Sequence, residues 1–134
     1  MKERILLVDD DADVLMALES LLDGTYHVTV AEDGDEALFC MQTEPFDCVL
    51  LDLMMPRISG ASVLLEMKAS GMQTPVILGS ASVDLSEQAR ALGADDSIQK
   101  PYDVELLESK IARLVARGDA RRREGLRAPA HSRQ

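Results

Sequence analysis

The sequence predicts an α/β protein: a doubly wound parallel sheet with helices on both faces. Three observations predict it. Short, nearly continuous apolar runs alternate with segments whose apolar residues recur at helical spacing. The runs lack the in-out alternation of a half-exposed sheet and so read as strands buried on both faces. The strand–helix unit repeats five times in 134 residues, which fits an open sheet with right-handed crossovers, whereas an eight-fold barrel needs about 250 residues.

Each element can be read in order. The first run, Arg4–Val8, carries Ile5, Leu6, Leu7 and Val8, and a helix with Val14, Leu15, Leu18, Leu21 and Leu22 follows, with Gly24 near its end. The second run is His27–Ala31, and its helix carries Ala37, Leu38 and Met41. The third, Asp47–Leu51, precedes a helix opened by Gly60, marked by Val63, Leu64 and Met67 and stopped near Gly71. The fourth, Pro75–Gly79, precedes a helix with Leu85, Ala89 and Leu92 and a stop at Gly93. The fifth, Asp96–Gln99, leads to Val104, Leu107, Ile111, Leu114 and Val115, with Gly118 near the expected end. Arg117–Arg123 could prolong that helix until Gly125 and Pro129 stop it. The expected organisation is one domain over 1–117 and a basic, disordered tail or truncated linker over 118–134.

Charge divides along the same boundary. The chain has a net charge of −10: the body to residue 116 carries −14, and residues 117–134 carry +4 from six arginines against Asp119 and Glu124. An acidic body with 3% aromatic residues and no Trp is unsuited to gripping a phosphate backbone or stacking bases, so direct nucleic-acid binding by this segment is not expected. No apolar run approaches the ~18 residues of a membrane span. The start, MKERILLVDD, lacks a signal-peptide layout. Cys40 and Cys48 carry no metal-like spacing. A cytoplasmic protein with both thiols reduced, in or near the core, is expected.

In open parallel sheets the site lies beyond the carboxyl ends of the strands. Asp9, Asp10 and Asp11 directly follow the first strand, Asp52 the third, Ser80 the fourth and Lys100-Pro101 the fifth. Converging carboxylates repel unless a cation joins them, and hard oxygen donors with room for water suit Mg²⁺. Such a site is a platform for phosphoryl groups. Lys100 would supply a point charge and Ser80 a hydrogen bond to phosphoryl oxygens. Asp52, alone at its strand end, is the candidate nucleophile for an acyl phosphate. Taken singly, each residue has a plainer reading: Asp11 or Asp13 as a helix cap, Asp9 and Asp10 as helix-start acids, Asp52 and Ser80 as turn residues, Lys100 as a solvated lysine. Four strand ends that each deliver a group needed by phosphoryl chemistry favour the site. Lys100-Pro101 is also a candidate cis bond.

The motifs ILLVDDD (5–11), LLDLMMPRISG (50–60), PVILGSA (75–81) and GADDSIQKPY (93–102) resemble the receiver domain of two-component response regulators, over about residues 3–116. The resemblance implies a flavodoxin-like (βα)5 fold with strand order 2-1-3-4-5. It implies that Asp52 accepts a phosphoryl group from a sensor histidine kinase or phosphotransfer protein, and that Asp9, Asp10 and Asp52 bind Mg²⁺ with the backbone carbonyl of Met54. Ser80 would be the switch hydroxyl and Lys100 the phosphoryl-contacting lysine. Phosphorylation would remodel the face of the fourth helix, fifth strand and fifth helix. That face, over Asp84–Leu92 and Asp103–Ala116, is where a dimer, a downstream protein target or a fused output domain would bind. On this reading the domain catalyses only its own phosphorylation and dephosphorylation.

Two departures, at Ser97 and Gly79, and one further pair of positions set expectations. Ser97 stands where the family commonly has an aromatic ring, so coupling to the switch hydroxyl must be weaker or leave a cavity opposite the fourth helix. Gly79 precedes Ser80 where a bulkier aliphatic is usual; it supplies either backbone freedom or a packing accommodation. Met54 and Ser82, two residues beyond Asp52 and Ser80, occupy positions that influence phosphoryl loss, and Met54 cannot orient a water, so loss should be limited by water access. Two other functions compete. A degenerate receiver would act only as a docking module. An aspartate-nucleophile phosphohydrolase would use Asp9 with Asp11 two residues on.

Overall fold

The computed structural model describes residues 2–127, with side chains described through 124. Five strands alternate with five helices: β1 (Arg4–Val8), α1 (Ala12–Leu22), β2 (His27–Ala31), α2 (Gly34–Thr43), β3 (Cys48–Asp52), α3 (Gly60–Ala69), β4 (Val76–Ser80), α4 (Leu85–Leu92), β5 (Asp96–Gln99) and α5 (Val104–Arg127). All neighbouring strands are parallel, in the order β2-β1-β3-β4-β5. The chain steps from β1 to β2 on one side, then crosses back to β3 on the other. This reversal opens a crevice beyond the ends of β1 and β3.

The continuous apolar runs serve two cores. Ile5, Leu7, Cys48, Leu50, Ile77 and Ile98 meet Leu15, Leu18 and Leu22 of α1 and Leu107, Ile111 and Leu114 of α5. Leu6, Val8, Val49, Leu51, Val76 and Leu78 meet Ala37 of α2, Val63, Leu64 and Met67 of α3, and Leu85 and Ala89 of α4. Alternate residues of one strand thus bury on opposite faces, which is why no polar position interrupts the runs.

Helix starts follow the sequence cues. Asp11 caps α1, its carboxylate accepting the Asp13 and Val14 N–H groups. Asp33 caps α2 and Ser59 caps α3 in the same way. Gly93 closes α4 in the left-handed conformation at φ 80°. The Lys100–Pro101 bond is cis, as the sequence suggests.

The strand and helix ends differ from the sequence reading in three places. Asp52 and Ser80 are the last residues of β3 and β4 rather than the first beyond them. The ladder continues one step further because it needs only backbone: Asp52 is in register with Gly79, and Ser80 with Gln99. Gly118 does not end α5, which continues to Arg127. A single helical glycine costs about 1 kcal/mol. Against that, Leu114 and Val115 anchor the preceding turn in the core, and Arg117 pairs with Asp95 at 2.9 Å while Arg122 pairs with Asp119. Residues 118–127 of the expected disordered tail are therefore helical; 128–134 lie outside the described residues. Cys40 and Cys48 are both free, and burial pushes the Cys48 thiol up to about 12.

Candidate functional site

β1 delivers Asp9 to the crevice, β3 delivers Asp52, β4 delivers Ser80, and the turn after β5 delivers Lys100. Asp9, Asp52 and Ser80 are each 2% exposed, so their polar groups need partners inside the protein. Asp9 Oδ1 accepts the Asp11 N–H at 2.9 Å, and Asp52 Oδ1 accepts the Met54 N–H at 3.3 Å. Lys100 Nζ lies 2.9 Å from Asp9 Oδ2 and 3.2 Å from Asp52 Oδ2. Both Oδ2 atoms are enclosed, yet neither receives a well-directed hydrogen bond among the described residues. One ammonium thus faces two buried carboxylates.

The electrostatics register that shortage. Burial pushes the Asp52 carboxyl up to about 6; the Asp9 charge adds to the shift, and Lys100 and the Met54 N–H oppose it. Burial alone would lower the Lys100 ammonium, but its close contacts with the Asp9 and Asp52 carboxylates outweigh that and hold it above its usual value.

Asp10 is exposed beside this pair. Carboxylate oxygens of Asp9, Asp10 and Asp52 all lie within 4.8 Å of one another. Three hard oxygen donors, two with under-bonded buried oxygens, fit a hard divalent cation. The cleft above them holds about 540 Å³ and is walled by Met54, Ser80, Ser82, Gln88 and Lys100.

A model of the response regulator receiver domain family matches residues 5–112. This chain belongs to that family. The receiver is 39% identical over 111 residues to the transcriptional regulatory protein DltR of Streptococcus agalactiae, covering 81% of this chain and 50% of the relative. It is 38% identical over 120 residues to the response regulator MprA of Mycolicibacterium vanbaalenii, covering 87% and 52%. The chain thus spans about half the length of these curated relatives. Among solved structures, the Francisella response regulator 1452 receiver domain superposes with a TM-score of 0.82 at 31% identity, covering 87% of this chain and 98% of that one. The strand order 2-1-3-4-5 is the receiver fold.

The structure brings Asp9, Asp10, Asp52, Ser80 and Lys100 together at one edge. Met54, 71% exposed as a residue, borders the same cleft. Asp11 Oδ1 caps α1, and Asp11 is not among the three carboxylates that cluster at the site. Ser97 shares the register of Leu78, whose side chain packs in the α4-side core, so the position lacking a ring faces α4.

Gly79 resolves toward packing. A Cβ there would lie 2.0 Å from the Tyr102 hydroxyl oxygen and 2.8 Å from its ring carbon Cζ. Tyr102 occupies the place of a residue-79 side chain, with its ring 5.8 Å from Lys100 Nζ. Its hydroxyl is enclosed without a hydrogen-bond partner among the described residues. Gly79→Ala is therefore expected to destabilise the fold by about 1–3 kcal/mol, and adding Tyr102→Leu should recover most of the loss in a double-mutant cycle by urea denaturation. Tyr102→Phe alone should be neutral or stabilising by up to about 1 kcal/mol. Additive effects of Gly79→Ala and Tyr102→Leu would contradict the contact.

Two residues at the site are absent from the sequence reading. Gln99 Nε2 donates to the carbonyls of Ala81 and Ser82 at 3.3 and 3.1 Å, pinning the β4–α4 loop to β5. Gln88 walls the cleft from α4. Its one readable signal is its place three residues after Leu85 and four before Leu92, on the inward stripe of the helix.

Proposed function

We propose that the chain is a phosphoacceptor receiver in which Asp52 takes a phosphoryl group from a phosphohistidine of a sensor kinase or phosphotransfer protein. The observation that carries the reading is Asp52 itself: a buried carboxylate ending β3, sharing one lysine with Asp9 beneath an open cleft. An Asp52 oxygen attacks phosphorus, the phosphorus–nitrogen bond of the donor breaks, and its electron pair stays on the imidazole. Lys100 follows the negative charge from the Asp52 carboxylate to the phosphoryl oxygens. Ser80 Oγ now accepts the Ser82 N–H at 3.2 Å, and its hydroxyl turns to donate to a phosphoryl oxygen. The α4–β5–α5 face, including Asp84–Leu92 and Asp103–Ala116, carries the change to a dimer partner, a downstream protein or a fused output domain.

Asp9, Asp10 and Asp52, with the Met54 carbonyl, would hold Mg²⁺, which supplies charge neutralisation and phosphoryl coordination. Millimolar Mg²⁺ is expected to raise the melting temperature, by RT ln(1 + [L]/Kd) in free energy, and Asp9→Asn should remove most of that rise. An equal rise in both proteins would count against the assignment. Phosphotransfer profiling of the full chain against a set of kinases tests the donor class. Failure of every phosphohistidine donor, with acetyl phosphate also inert, would instead favour the docking-module reading.

No helix among the described residues is long and apolar enough to cross a membrane. A cytoplasmic site of action, where a kinase would hold its phosphohistidine, accords with the two free thiols.

A further inference from the structure

We infer that Gln99 is a positioning residue that clamps the β4–α4 loop in its resting place and opposes its release when Ser80 turns to the phosphoryl group; the inference rests on the phosphoacceptor reading above. Gln99 ends β5 in register with Ser80. Its Nε2 donates to the carbonyls of Ala81 and Ser82 at 3.3 and 3.1 Å. The N–H of the same Ser82 donates to Ser80 Oγ at 3.2 Å. Ser82 is thus held by the switch hydroxyl through its N–H and by β5 through its carbonyl.

Little else fixes this loop. Val83 is 97% exposed, and Ser82 Oγ donates to Asp84 Oδ1 within the loop itself. Among the hydrogen bonds of the described residues, those from Gln99 are the ones that tie residues 81–83 to another strand. The helix that follows adds few anchors. Asp84, at the start of α4, makes no side-chain cap bond, whereas Asp11, Asp33 and Ser59 cap α1, α2 and α3. Helix α4 buries only Leu85 and Ala89. A helix start held this loosely takes its place from the loop before it.

The direction of the effect follows from the bonds. A turn of Ser80 Oγ toward the phosphoryl group carries it away from the Ser82 N–H, which then needs a new acceptor. Rearrangement of the loop to supply one draws the Ala81 and Ser82 carbonyls off Gln99. The clamp therefore favours the resting loop, and removing it shifts the balance toward the engaged one before any phosphoryl group arrives. Ser97 lies on the same face of β5, two residues earlier, and has no ring to carry such a link. Gln99 carries it instead by hydrogen bonds.

The test uses the full chain and two readouts. Gln99→Met keeps the side-chain length and removes both donors. Without phosphate, amide hydrogen exchange over residues 82–84 should be about fivefold faster than in the parent, the worth of two exposed hydrogen bonds. Gln99→Glu sets acceptors against the two carbonyls and should speed this exchange at least as much. Uptake of one phosphoryl group from acetyl phosphate with Mg²⁺, followed by intact mass, should be faster in Gln99→Met than in the parent by about the same fivefold. In a Ser80→Ala background, where no hydroxyl turns, Gln99→Met should leave the uptake rate unchanged within about 1.5-fold. Parental exchange over residues 82–84 in both Gln99 variants would overturn the clamp. Parental uptake by Gln99→Met, or a fivefold gain that persists with Ser80→Ala, would overturn its link to the switch; either result leaves the phosphoacceptor reading intact. Absence of any uptake by the parent would overturn that reading, and the link with it.

Discussion

Asp52→Asn is expected to stabilise the metal-free protein at pH 7 by about 1–2 kcal/mol, roughly 3–8 °C in melting temperature. Burial and the neighbouring Asp9 charge raise the folded carboxyl to about 6, against 3.8 for an unperturbed one. A raised acid favours the folded state most where it is protonated. Its contribution is fully present below about pH 4 and is lost as pH rises through about 6. Asparagine cannot ionise, so the gain should be largest at pH 7 and should vanish near pH 4. Lys100 keeps its 2.9 Å contact with Asp9 in the variant, which limits what is lost with the second carboxylate. Thermal melts of both proteins between pH 4 and 8, without divalent cations, check this. A variant less stable than the parent at pH 7 would mean that the Lys100 pair outweighs the burial of Asp52.

Gly60→Ala should be the most damaging small substitution near the site, costing about 3 kcal/mol or more. A Cβ at residue 60 would lie 2.2 Å from the Asp52 carbonyl oxygen and 2.8 Å from Leu53 Cα. Both obstacles are backbone, so no side chain can rotate away. The Gly60 N–H also donates to the Leu53 carbonyl at 2.9 Å, which holds the start of α3 against the end of β3. Relief requires moving the Asp52–Leu53 segment, and with it the carboxylate. Urea denaturation should show the stability loss, and Mg²⁺ titration a weakened response. A loss below 1 kcal/mol with normal Mg²⁺ binding would show that the close approach is not needed.

The residues at the strand ends are legible in the sequence because chain period and chemistry coincide there. Four of the five runs stop where a polar group capable of phosphoryl chemistry begins, and a parallel sheet gathers those ends at one edge. The one-residue extension of β3 and β4 is not legible, because the ladder uses the backbone of Asp52 and Ser80 whatever their side chains. Gly79 is visible as an anomaly, but its partner Tyr102 is not, since their contact depends on how the turn after β5 folds back over β4. Gln88 looks like any polar residue of an amphipathic helix, until the short β4–α4 connection sets it against the cleft. The reach of α5 through Gly118 depends on Asp95 meeting Arg117, a pairing set by tertiary structure.

Intact mass decides whether Asp52 is the phosphoacceptor. The full chain incubated with acetyl phosphate and Mg²⁺ should gain the mass of one phosphoryl group. The gain should be lost with hydroxylamine and should be absent without Mg²⁺ and in Asp52→Asn. A gain of the same size in Asp52→Asn, or no gain in the parent with Mg²⁺ present, would contradict the account.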